Sequence, residues 1–223
     1  MSSLLSPIAR WGLLGRSIAV RIATAKQRRT LMTLPSLSLE GKTCVVTGAA
    51  RGLGKEFLTA FALSGARGAC IDLSLQAGNS SIQHIKEHIS HQPSTHASHA
   101  PELRAYACDV TSEEQVQETW GNVIKNFGKV DVVVTAAGIV ENFEAENYAY
   151  DRWKKMLDIN LNGSFLFAKE AGKYWIDNTI KGNLILVSSM SSIICVRPQK
   201  QAAYNAVCCS FNDGKYENVS GSR

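Results

Sequence analysis

The sequence has no apolar run approaching the roughly 20 residues that cross a bilayer, no internal repeat and no linker dividing two domains. Its six cysteines (Cys44, Cys70, Cys108, Cys195, Cys208 and Cys209) form neither a CxxC pair nor a metal-ligand spacing. These absences argue against a membrane span, a solenoid, a zinc site and a disulfide framework. Several of the cysteines sit inside apolar strand-like runs, where a thiol acts as a small hydrophobe, so a reduced intracellular compartment is expected. Acidic residues are missing before Glu40, whereas Arg10, Arg16, Arg21, Lys26, Arg28 and Arg29 all fall there. Those six basic residues exceed the +5 of the whole chain, so the remainder carries a net charge of −1. No basic face is left for nucleic acid.

An Arg-rich, Ser-rich, acid-free leader has the composition of a mitochondrial transit peptide, and residues 1–38 are read as one. Its basic residues recur among Trp11, Leu13, Leu14, Ile18, Val20 and Ile22, as an amphipathic helix requires. The alternatives are a disordered basic tail or a start at Met32, either leaving the protein cytoplasmic. The other residues, in a chain of 223 that is 45% hydrophobic and 19% charged, fit one globular domain.

From Leu39 short apolar runs alternate with helical periods. Lys42–Val46, Ala69–Ile71, Leu103–Ala107, Val130–Val134 and Asn183–Val187 read as strands. Helices are expected after Gly54, around Ile82–Ile89 and after Thr111, where Thr111 and Glu114 form a capping box. A long helix is expected over Tyr150–Ala171, with Trp153, Met156, Leu157, Leu161, Phe165 and Leu166 turned inward. Near-continuous apolar strands alternating with helices predict an α/β fold, a parallel sheet covered on both faces. In such sheets ligands bind beyond the carboxyl ends of the strands.

The chemistry-bearing residues fall at those ends. Gly48, Gly52 and Gly54 follow the first strand and open a helix, allowing a tight turn, close approach to a pyrophosphate and close helix packing. Arg51 and Leu53 complete the loop. Asp72 ends the second strand 18 residues after Gly54, where a carboxylate can take both hydroxyls of an adenosine ribose. It repels a 2′-phosphate, favouring NAD over NADP, while Arg51 pulls mildly the other way. All five histidines crowd into residues 84–99, and His84 and His88 have i, i+4 spacing. Without an acid or cysteine to complete a set, that segment reads as a solvated insertion and no metal is expected.

TGAARGLG, Asp72, Cys108-Asp109-Val110, Ala136-Ala137-Gly138, Asn160 in INLNGSF, the serines after NLILV and Tyr204 in AAYNA occur in one order. As a set over about residues 39–206, this resembles the short-chain dehydrogenase/reductase family. The resemblance implies a Rossmann fold moving hydride between a nicotinamide and a carbonyl or alcohol. It places Asp109, with Val110, at the adenine, and Gly138, with Ala137, by the nicotinamide ribose. It makes Tyr204 the acid–base, Ser189 the group that polarises the carbonyl, and Asn160 the holder of a relay water. Ser191 is the rival serine, 13 residues before Tyr204. SSMSS with QAAYNA is similar to members acting on polyols and keto-sugars, and the family's members form homo-oligomers.

Two departures stand out. The usual Asn-Asn-Ala-Gly reads Thr135-Ala136-Ala137-Gly138, and the lysine expected four residues after the tyrosine is Cys208. A free tyrosine has a pKa of about 10, so about one in a thousand is ionised at pH 7. Cysteine supplies no cation to change that, and Lys200 is the nearest stand-in. After Ala206 the resemblance stops, and residues 207–223 are expected to be unstructured translated intron, since every valine codon begins with the GT that opens most introns. The family's last strands would then be missing. The alternatives are a nucleotide-binding product without turnover, an unstable inactive one, or a divergent enzyme.

Overall fold

The computed structural model describes residues 37–91 and 101–210. The leader helix, His96, His99 and most of the tail lie outside them. Strand β1 (Thr43–Thr47) is fully buried and occupies the centre of a five-stranded parallel sheet of order β3-β2-β1-β4-β5. Its neighbours are β2 (Arg67–Asp72) and β4 (Val132–Thr135), flanked by β3 (Leu103–Ala107) and β5 (Asn183–Leu186). The order reverses at β1, so the crevice opens between the carboxyl ends of β1 and β4. Helices α1 (Gly52–Leu63) and α2 (Leu75–Ser90) cover one face through Leu58, Ala62, Ile82 and Ile85. Helices α3 (Glu113–Phe127) and α5 (Gly163–Asp177) cover the other through Val116, Trp120, Val123, Phe167 and Trp175. This is the Rossmann-type fold expected.

Helix α3 does not use the expected capping box. Thr111 gives its hydroxyl to Asp109 at 2.7 Å, so the cap passes to Ser112, whose Oγ accepts from the Gln115 amide at 3.3 Å. The long helix after Tyr150 is also interrupted. Helix α4 (Tyr150–Leu157) and α5 are joined by one wide π-turn, Asp158–Asn162. The extra residue advances everything after it by about 100°. Phe165, expected inside, is therefore 61% exposed, and Phe167, Ala171 and Trp175 take the buried face. Helix α6 (Ala202–Cys209) runs past the expected boundary at Ala206, because Val207 packs with Met156 and Ala203.

One buried charge ties the bottom of the sheet. Asp131 accepts from the Thr43 amide at 2.9 Å and from Lys42 and Lys129 at 3.1 and 3.2 Å. Burial alone would raise its carboxyl, but the Thr43 amide and the two ammonium groups reverse this and hold it below its ordinary value. A depressed folded value means stability that is complete above the unfolded value of about 3.9 and is lost as pH falls through the folded one. Both lysines are nearly half exposed, so most of the effect belongs to the buried amide bond. Asp131→Asn is expected to cost about 2 kcal/mol near neutrality and to flatten the acid limb of stability. Urea unfolding across that range measures both.

Candidate active site

Because the carboxyl end of β1 is the switch point, its following turn decides what can approach. Gly48 (φ 66°) turns the chain sharply, and a Cβ there would sit 2.7 Å from Ala137 Cα. A Cβ on Gly54 would sit 2.4 Å from the Gly48 carbonyl oxygen, so this glycine lets α1 start directly under the turn. Gly52 (φ 57°) faces open space, leaving a cradle at the amino end of α1. Arg51 is the residue before the helix, and its side chain and that of Leu53 are exposed at the rim.

Asp72 is half-buried beside this turn. Its two oxygens accept from the Ala50 amide at 3.0 Å and the Leu73 amide at 2.9 Å, which fixes the carboxylate and leaves acceptor capacity on both. Asp109 is half-buried, with Oδ1 committed to Thr111. Val110 is buried, and its Cγ2 would meet a Cβ on Gly163 at 2.7 Å, so its side chain packs against the start of α5. The loop with Ala137 and Gly138 is held by a residue that motif reading passes over. Thr47 Oγ1 accepts from both the Ala136 and Ala137 amides at 3.1 Å. A hydroxyl at the last position of β1, opposite an asparagine-poor β4 end, was the available signal. The substituted Thr135 is itself buried with an unpaired hydroxyl.

Asn160 sits in the π-turn and pairs with one residue in both directions. Its Oδ1 accepts from the Ile139 amide and its Nδ2 donates to the Ile139 carbonyl, each at 2.9 Å. The amide group is thus committed to positioning the β4 loop. The Nδ2 also contacts Met156 Sδ at 3.5 Å, and Met156 packs with Ala203, Val207 and Tyr204. That apolar contact seats α6, with Tyr204, on α4.

The short turn Met190–Ser192 gives the two candidate serines different surroundings. Ser189 Oγ accepts from the Ser191 amide at 3.2 Å and faces Tyr204 closely enough to favour its ionised form. Ser191 is buried. Ser188 donates to the Cys208 carbonyl at 3.1 Å, and Ser192 to the Ser189 carbonyl at 2.7 Å. With one lone pair taken by an amide, Ser189 is oriented as a donor.

Burial pushes the Tyr204 hydroxyl above its ordinary value. The Ser189 hydrogen bond opposes this, and Cys208 adds to it. Cys208 is itself raised by burial first, with the neighbouring Tyr204 opposing it. Lys200 provides no substitute cation, because its ammonium pairs with Glu144 across the loop. That pair and the Phe143 amide bond to the Lys200 carbonyl at 2.8 Å strap the β4 loop to the approach of α6. The strap links residues 56 apart and has no local sequence signal.

The family model described as short chain dehydrogenase matches residues 42–207. The sorbose reductase of Candida albicans is 34% identical over 175 residues, covering 78% of this chain and 58% of that protein. The ribulose-forming D-arabinitol 2-dehydrogenase of Scheffersomyces stipitis is 30% identical over 177 residues, covering 77% and 63%. The crystal structure of an NAD⁺-bound xylitol dehydrogenase superposes with a TM-score of 0.65 at 27% identity, covering 77% of this chain and 61% of that one. The chain spans about three fifths of the length of these curated relatives.

Proposed function

The chain belongs to the short chain dehydrogenase family, and from that membership we propose that it interconverts a secondary alcohol and a ketone with NAD(H). The observation that carries this reading is Tyr204 facing Ser189 beyond the carboxyl end of β5, in a sheet whose β1 ends in the open Gly52 cradle. The cradle and Gly54 would hold the pyrophosphate, and Asp72 the adenosine ribose, disfavouring a 2′-phosphate. Asp109 would serve the adenine side and Gly138 the nicotinamide side. When bound, the nicotinamide supplies or accepts the hydride. Ser189 donates to the substrate oxygen and polarises the carbonyl. Tyr204 gives its proton to that oxygen as negative charge develops, and in oxidation its phenolate takes the proton back. The polyol and sugar names of the relatives, with SSMSS before Tyr204, support a polyol or keto-sugar substrate.

Reduction of a keto-sugar such as ribulose or sorbose, followed by loss of NADH, tests the proposal. Tyr204→Phe is expected to lower kcat by about 10²-fold or more with NADH affinity unchanged. Equal turnover in the variant would remove Tyr204 from the chemistry. We also propose that the leader carries the protein to mitochondria. Residues 1–38 fused to a fluorescent protein should then localise there, and diffuse fluorescence would refute it.

A further inference from the structure

Four of the six thiols are buried and two are exposed. Burial pushes Cys44 and Cys70 up to about 12, with the Asp131 and Asp72 carboxylates adding to it respectively. Cys108 and Cys208 are also raised, again chiefly by burial. These four carry almost no thiolate at neutral pH and are poorly reachable, so they resist oxidation. Cys195 and Cys209 differ in both respects that matter, access and neighbourhood. The fold brings their segments together, although 14 positions separate them in sequence. Cys209 Sγ lies 3.2 Å from the Ser192 carbonyl oxygen. Cys195 follows Ser192 by three residues, a reach of at most about 10 Å even fully extended. The turn is pinned as far as Ile194, since the Ile193 and Ile194 amides both bond to the Met190 carbonyl at 2.9 and 3.0 Å. Cys195 is the next residue, on irregular backbone that can adjust to the roughly 4.4–6.8 Å Cα separation of a disulfide.

We propose that Cys195 and Cys209 are an oxidisable dithiol that closes to a disulfide, joining the loop that carries Ser189 to the helix that carries Tyr204. With a peroxide as oxidant, one thiolate attacks a peroxide oxygen, forming a sulfenic acid and releasing one water. The second thiolate then attacks that sulfur, forming the S–S bond and releasing a second water. Two thiols lose two electrons and two protons in all, and the peroxide takes up both. The ring so closed contains Tyr204, and two noncovalent stitches already join the same loop and helix, Ser188 to the Cys208 carbonyl and Cys209 to the Ser192 carbonyl. In a reducing compartment the bond is transient, reopened by thiol exchange.

The test does not depend on turnover, so it stands apart from the proposed reaction. The reduced full-length chain is treated with one equivalent of hydrogen peroxide, alkylated, cleaved after Lys200 and examined by mass spectrometry. The expected product joins the two flanking peptides with the loss of two hydrogens, and fragmentation places the link at Cys209. Dithiothreitol should reverse it. Cys195→Ser and Cys209→Ser should each abolish it with an unchanged circular dichroism melt, and Cys208→Ser should retain it. A link through Cys208, a link only between two copies, or separate oxidation of the two thiols to sulfinic acids would overturn the proposal.

Discussion

Cys208→Lys is expected to raise kcat/KM at pH 7 by about ten- to a hundredfold and to move the alkaline limb of oxidation down by about two pH units. The reasoning starts from a tyrosine that burial and Cys208 hold above its ordinary value, with no cation to bring it down. A lysine one helical turn beyond Tyr204 lies on the same face of α6, so its ammonium can reach the hydroxyl. Lowering the hydroxyl by about two units raises its ionised fraction about a hundredfold. Part of that gain is offset, since a weaker base takes a proton less readily, and an even split leaves about tenfold. Reduction must gain by the same factor, because the ratio of the two directions at fixed pH belongs to the reaction and not to the protein. There the gain comes from a more acidic donor. A lysine at this position, by the family resemblance, would also hold the nicotinamide ribose, and that would add the rest. Cys208→Gln matches the reach without the charge and should give no gain. Steady-state rates against pH for the three proteins make the comparison.

Gly182→Ala is expected to destabilise the fold by about 3 kcal/mol or more and to lower Tm by about 6–12 °C. An added Cβ would lie 1.9 Å from Trp175 Cε2 and 2.1 Å from Cδ2. The indole has nowhere to retreat: Trp175 is fully buried, and its Nε1 donates to the Val130 carbonyl at 2.8 Å. Relief must therefore break that hydrogen bond or displace the turn between α5 and β5, and either opens the face packed under β4. Gly172→Ala is the matched control. It lies in the same helix as Trp175 with nothing within 4 Å of its added Cβ, and should be neutral or stabilising by up to about 1 kcal/mol. Calorimetric melts of both variants decide whether close packing or glycine content sets the effect.

The sheet and its crevice were legible because buried parallel strands are written as continuous apolar runs, and TGAARGLG and Asp72 mark strand ends. What escaped was decided by which of several competent contacts form, some between neighbours and some distant in sequence. The residues over Asp158–Asn162 keep an ordinary helical spacing, and only the two-way pairing of Asn160 with Ile139 accompanies the widened turn that moved Phe165 outward. Thr111 and Ser112 are both competent caps, and Asp109 chooses between them by taking the Thr111 hydroxyl. Spacing alone left Ser189 and Ser191 open, whereas the tight turn after Ser189 buries Ser191 and leaves Ser189 facing Tyr204. Lys200 was legible as the nearest cation, but not as the partner of Glu144.

Every step proposed for Tyr204 presupposes a dinucleotide in the crevice, so equilibrium binding of NAD⁺ and NADP⁺ to the full-length chain tests the account most directly. Calorimetric titration is expected to show saturable binding of one NAD⁺ per chain, about tenfold or more tighter than NADP⁺, since on the proposed reading Asp72 would meet a ribose hydroxyl in one and a phosphate in the other. No saturable binding of either dinucleotide, or tighter binding of NADP⁺, would contradict it.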